Sequence, residues 1–217
     1  MIRVVCLLIG YFFGLFQTSY FLGKMHHMDI REHGSGNAGT TNALRTMGKK
    51  AAAVTLACDC LKCVLAVWVI RFLFGKTHPD MMSLLVLYGA AGCVLGHNFP
   101  VTMGFKGGKG IAASVGMVLA FDWKLFLIAA AIFFALFFLF HYVSVSSLSA
   151  YLAAFIGTVV FGRMGCYHLE KAYRIELYAV MGALLLLALY RHRQNIQRLF
   201  KGTESKITFS KNDSKEG

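Results

Sequence analysis

The stretch from Gly34 to Gly48, Gly-Ser-Gly-Asn-Ala-Gly-Thr-Thr-Asn-Ala-Leu-Arg-Thr-Met-Gly, has the residue types that hold a phosphate. Gly36 and Gly39 let the backbone come close to an anion. Ser35, Asn37, Thr40, Thr41 and Asn42 supply hydroxyl and amide donors, and Arg45 supplies a two-pronged fork for phosphate oxygens. A second island, Gly104 to Gly110, repeats the theme with Lys106 and Lys109 around Gly107 and Gly108. A third runs from Arg191 to Arg198, where His192 and Asn195 stand three apart on one helical face. Three anion-binding islands between apolar runs point to a membrane protein that handles phosphorylated molecules.

Nucleotide motifs do not account for these islands. Gly34, Gly36 and Gly39 have Gly-x-Gly-x-x-Gly spacing, but no βαβ unit surrounds them. The second island fails the Walker pattern, because position 103 is Met and position 110 is Gly. His97 reads either as an acid–base group or as a helix cap. Arg193 and Arg198 read as cations at a helix end facing lipid head groups. Asp59 and Lys62, three apart in an apolar run, read equally as a functional pair or as one that organises the bundle. Ser144, Ser146 and Ser147 add hydroxyls on a short link. Cys58, Cys60 and Cys63 lie within one apolar run and read as small packing residues. No metal or cofactor is expected.

The elements that carry these groups follow from hydropathy. The 217 residues are 57% hydrophobic, and runs such as 125–140 are too apolar for a soluble core. An all-α, polytopic membrane protein is expected, with about seven helices spanning roughly 2–23, 50–74, 81–97, 111–121, 125–142, 147–162 and 173–190. The spans at 111–121 and 147–162 are short for a bilayer. The first run reads as a retained membrane helix, interrupted by Gln17, Thr18 and Ser19. One domain is expected over 1–202, followed by a disordered polar tail over 203–217. Seven spans put all three islands on one face. That face carries fourteen Lys and Arg residues against seven on the other, which places it in the cytoplasm and the N-terminus outside. The net charge of +12 is assigned to lipid head groups rather than nucleic acid, for which no soluble module remains.

With these residues set out, the chain resembles the bacterial acyl-phosphate:glycerol-3-phosphate acyltransferases over about residues 10–206. Asp29-Ile-Arg31 through Asn42, with Arg45 and Gly48, is similar to that family's first motif. Gly96-His97, Phe99-Pro100 and Phe105 to Gly110 resemble its second, and Arg191-His192, Asn195-Ile196, Arg198-Leu199, Gly202, Glu204 and Lys206 its third. Tyr142 to Ser147 is similar to its serine-bearing link. Cys63 after Lys62 and His141 before Tyr142 depart from the family pattern.

The resemblance implies acyl transfer from acyl phosphate to glycerol 3-phosphate at a bacterial inner membrane, without metal or coenzyme A, by a monomer. It implies Arg45 and Lys109 as phosphate clamps, with Lys106 in support. Ser35, Asn37, Thr40, Thr41 and the glycine amides would hold the donor, while His192 and Asn195 orient the attacking hydroxyl. The proton acceptor is either His192 or the donor phosphate. A covalent intermediate on Ser35 is the less favoured route. No His-x₄-Asp box occurs, which separates the chain from acyltransferases that depend on one. The competing expectation is an organic-phosphate transporter.

Overall fold

Gln17 breaks the first apolar run in the computed structural model, which describes residues 1–207. Helix α1 (Ile2–Gly14) ends before it and α2 (Thr18–Met25) begins after it, with Gln17 in an extended conformation. A broken helix in a membrane frees carbonyls that need donors. Here the Gln17 side-chain amide donates to Gly14 O (3.0 Å) and to His97 O (3.1 Å), and Lys62 Nζ donates to Phe16 O (2.6 Å).

Helix α1 lies directly on α4 (Met82–Asn98), backbone against backbone. Methyl groups at Gly10, Gly92 or Gly96 would overlap carbonyl oxygens of the facing helix. Small residues four apart allow this approach, the usual way that membrane helices gain contact without a hydrophobic driving force. The opposite end of the bundle is closed by Glu176, which accepts from Arg3 (2.5 and 2.8 Å) and from Tyr88 (2.8 Å).

Helix α3 (Thr40–Phe74) starts ten residues before the expected span. Gly48, at φ 84° and ψ −176°, interrupts it and sets residues 40–47 apart as a short helix at the membrane surface. The part beyond Gly48 corresponds to the span expected from hydropathy. Helix α5 (Ile111–Phe121) is indeed short, about 16 Å at 1.5 Å per residue. It tolerates this because the bundle encloses it: Gly116 sits on the Cys60 carbonyl, and the Cys60 thiol donates to Ala112 O at 3.1 Å. All six cysteines are free thiols.

Helix α6 (Trp123–Phe140) returns to the starting side with an outward face of Phe134, Phe138 and Leu139. Helix α7 runs from Val143 to Arg163, 21 residues, so the expected short span at 147–162 is corrected. The serine link is its first turn, held by the Ser146 hydroxyl on Tyr142 O (3.0 Å). Helices α8 (Lys171–Arg191) and α9 (Arg193–Phe200) complete the chain. Among the described residues six helical segments are long and apolar enough to cross, and α5 is a further, shorter apolar helix inside the bundle.

Part of the segment expected as a disordered tail packs on the bundle. Residues 203–207 return to the bundle, with Ile207 N donating to His141 O (3.0 Å) and Glu204 packed among polar side chains of α7 and α9. The remainder of the expected disordered segment, 208–217, lies outside the described residues.

Candidate active site

The first island is stitched around Asn42, a buried side chain that composition alone marked only as one donor among several. Its Oδ1 accepts from Ser35 N (2.8 Å), and its amide donates to Ile30 O (3.1 Å) and His33 O (3.0 Å). Gly34 and Gly36 take positive φ to turn the loop. Asp29 anchors its start by accepting from Arg31, whose guanidinium holds the Asp29 carboxyl down at about 2. With the loop fixed by these groups, the side chains of Ser35, Asn37, Thr40, Thr41 and Arg45 remain unbonded among the described residues and face a common hollow. Converging unpaired donors mark a ligand site.

The second island works differently from expectation. The Gly107 and Gly108 amides do not face outward. They donate to Asn98 O (3.3 Å) and His97 O (3.1 Å), and their own carbonyls accept from Arg191 at 2.9 and 2.6 Å. The glycines therefore form a closed frame tied to α8, and Lys106 and Lys109 carry the loop's positive charge. Gly108 packs so closely that a methyl there would overlap His97 Nε2. Gly108→Ala is expected to lower kcat/KM at least tenfold while leaving the helical circular dichroism spectrum unchanged.

Island three joins the site through Lys109. Its ammonium donates to Asn195 Oδ1 in a short contact, and the Asn195 amide donates to Glu204 (2.6 Å). Glu204 also accepts from Arg198 (2.7 Å) and Ser144 (2.9 Å). Burial raises the Glu204 carboxyl, but its three donors outweigh that and leave it below the ordinary carboxylate value. Burial, then Arg198, pushes Lys109 down to about 8. His192 is buried with Nδ1 2.8 Å from Ala188 O. Burial, then Lys109, lowers it to about 4. A carbonyl only accepts, so the Nδ1 carries the proton and Nε2 is left as an acceptor.

Two hollows result. The inner one, about 440 Å³, is lined at its mouth by Ser35, Asn37, Thr40, Thr41, Arg45, Lys109, Ser144, His192 and Asn195. It continues between α5, α6 and α7 along Val115, Val118, Phe126, Ala129, Phe133 and Ala154. The outer one, about 540 Å³, is lined by Gly36, Lys106, Arg191 and Arg193, with Asp29 paired to Arg31 at its edge. Ser35, Asn37, Lys109 and Arg198 line both.

Two expectations change. Ser146 is fully buried, its hydroxyl bonded within α7, and lines neither hollow. Arg198 is held in the site by Glu204 rather than facing lipid, because the returning segment 203–207 brings a carboxylate to it. Arg193 stacks on Tyr190 at 4.4 Å at the rim of the outer hollow.

Sequence reading left the Asp59–Lys62 pair and His97 apart, each with two possible roles. They meet under the inner hollow: Lys62 Nζ lies 2.8 Å from Asp59 and 2.9 Å from His97 Nδ1, and Thr18 donates to Asp59 at 3.3 Å. Both Asp59 and His97 line the hollow.

These loops and helices recur in known proteins. The family model described as glycerol-3-phosphate acyltransferase matches residues 4–202. The glycerol-3-phosphate acyltransferase of Alkaliphilus metalliredigens is 39% identical over 209 residues, covering 95% of this chain and 97% of its own. That of Thermoanaerobacter pseudethanolicus is 40% identical over 208 residues, covering 95% and 96%. Among solved structures, the chain superposes on PlsY, an integral membrane glycerol 3-phosphate acyltransferase, in its glycerol 3-phosphate form. The TM-score is 0.82 at 30% identity, over 95% of this chain and 96% of that one. The lysophosphatidic acid form gives a TM-score of 0.79 over 95% of each chain. The family match over residues 4–202 takes in all three islands, and the chain belongs to the glycerol-3-phosphate acyltransferase family of integral membrane enzymes.

Proposed function

We propose that the protein moves a fatty acyl group from acyl phosphate to the 1-hydroxyl of glycerol 3-phosphate, releasing 1-acylglycerol 3-phosphate and inorganic phosphate. The observation that carries this reading is the pair of hollows sharing Ser35, Asn37, Lys109 and Arg198, of which the inner continues into an apolar channel. An acyl phosphate has one phosphate and one fatty chain and suits the inner hollow. A small hydrophilic phosphate ester suits the outer, cationic one. The two solved forms of the relative are named for an acceptor of this kind and its acylated product.

A mixed anhydride is already activated, so the site supplies position and charge stabilisation. Arg45 and Lys109 clamp the donor phosphate, with Ser35, Asn37 and Thr40 around it. Lys106 and Arg198 receive the acceptor phosphate. Asn195 and the free Nε2 of His192 orient the attacking hydroxyl. With His192 lowered to about 4, its ring is a weak base at neutral pH, and the departing phosphate takes the hydroxyl proton. Direct attack in this geometry needs no acyl-Ser35 stage. Family membership replaces the transporter reading.

The charge asymmetry supports a cytoplasmic site in a bacterial inner membrane, with the N-terminus outside, and one copy supplies both hollows. Cys166, the one exposed thiol among the six cysteines, then lies on the outer side. An impermeant maleimide is expected to label it in intact spheroplasts. Labelling only after lysis would invert the topology.

Lys109 gives the reaction an alkaline limit. Its lowered pKa means that charge is lost as pH rises through about 8. The expected kcat/KM falls about tenfold per pH unit above that value. Lys109→Arg, charged throughout, moves the fall above about pH 10. Purified protein given acyl phosphate and glycerol 3-phosphate, without metal or coenzyme A, is expected to release phosphate and lysophosphatidate in equal amounts. Product only with an acyl thioester would overturn the donor assignment.

A further inference from the structure

His97 ends α4 at the floor of the inner hollow, 2% exposed, and none of the roles assigned above uses its ring. Its Nδ1 faces Lys62 Nζ at 2.9 Å. Lys62 lies between the Asp59 carboxylate (2.8 Å) and Phe16 O (2.6 Å), as an ammonium with protons to give and none to take. Nδ1 must therefore accept, and the ring proton belongs on Nε2. Among the described residues no group accepts from that nitrogen. It lies against Gly108, beside Lys109, where only a residue without a side chain leaves room. An unpartnered N–H that opens onto a substrate hollow from an otherwise buried ring calls for a substrate acceptor.

We infer that His97 is a further catalytic residue, donating Nε2–H to the carbonyl oxygen of the acyl donor as that oxygen gains negative charge. This rests on the acyl-phosphate reading. The acceptor hydroxyl oxygen bonds to the carbonyl carbon, and the carbonyl π pair moves onto oxygen, where the His97 N–H meets it. The pair returns, the bridging C–O bond breaks, and phosphate leaves with that electron pair and takes the hydroxyl proton. His97 keeps its own proton throughout. Asp59 would repel the developing charge, but Lys62 at 2.8 Å offsets it. The two histidines thus have opposite polarity: His192 presents an acceptor and His97 a donor.

The test compares His97→Ala, His97→Gln and Lys62→Met in purified protein with acyl phosphate and glycerol 3-phosphate. Loss of one such donor is worth about 10²–10³ in kcat. His97→Ala is expected to fall by that factor, with both KM values within about threefold of the parent. His97→Gln, whose amide N–H lies near the imidazole Nε2, should recover about tenfold of the loss. Lys62→Met, which frees the tautomer, should fall between them. A His97→Ala variant that keeps its kcat, or one that changes KM alone, overturns the assignment. If the variants fail to fold, ¹⁵N-histidine NMR of the parent decides. Nδ1 should be unprotonated and Nε2 protonated, with Nε2 shifting when a non-transferable acyl phosphonate binds. The opposite tautomer, or an unmoved Nε2, overturns it. A parent inert to acyl phosphate would instead overturn the donor reading.

Discussion

Lys109→Ala is expected to lower kcat/KM by about 10³-fold with the protein still folded. The ammonium lies where the two hollows meet and donates to Asn195, so its removal affects both phosphates and the group that orients the hydroxyl. A charge-assisted hydrogen bond is worth about 1.5–3 kcal/mol, and loss of two gives about 3–6 kcal/mol, or 10²–10⁴ in rate. Arg45, which faces the inner hollow alone, should cost about 10²-fold on replacement by alanine. Steady-state kinetics on purified variants check both, and the ordering matters as much as the size. An Arg45→Ala defect that greatly exceeds the Lys109→Ala defect would remove Lys109 from its shared position.

Gly92→Val is expected to have the largest effect on stability. Its side chain would be driven into the Leu7 carbonyl, with Tyr11 N close by, at a contact where α1 and α4 touch through their backbones. Overpacking commonly costs about 1–3 kcal/mol when side chains can yield. Here the obstacle is backbone, so a cost of at least about 3 kcal/mol follows. The two helices must separate, and the Gln17 and Lys62 bonds that tie the α1–α2 break to α3 and α4 go with them. Thermal unfolding in detergent should show a large fall in Tm. The same substitution at Gly182, whose methyl would make ordinary contact with Phe155, should be nearly silent.

Much of the site was legible because phosphate chemistry restricts composition. Glycine, hydroxyl and cationic residues stand out in a chain that is otherwise apolar, and loop parity alone puts the three islands on one face. What periodicity does not reveal is which helix lies beside which. Asp59 and Lys62 share α3 and read as a pair, but His97 lies on α4 and joins them only when the two helices pack. Gly10 and Gly14 repeat at four residues, as do Gly92 and Gly96, but the spacing does not say that the two stripes face each other. Glu204 stood out only through the third motif, and its return to the bundle was not legible, since a polar, charged segment reads as a tail unless its partners are known. In the second island, glycine content suggested amides open to an anion, whereas Arg191 and the end of α4 hold that loop closed.

The central claim is that one composite site holds both phosphates at once. Calorimetric titration of glycerol 3-phosphate into detergent-solubilised protein saturated with an acyl phosphonate tests it directly. The account predicts one equivalent bound, with an affinity within a few-fold of that measured without the phosphonate. Mutual exclusion of the two ligands would contradict it, because a single shared anion site cannot bring the donor carbonyl and the acceptor hydroxyl together.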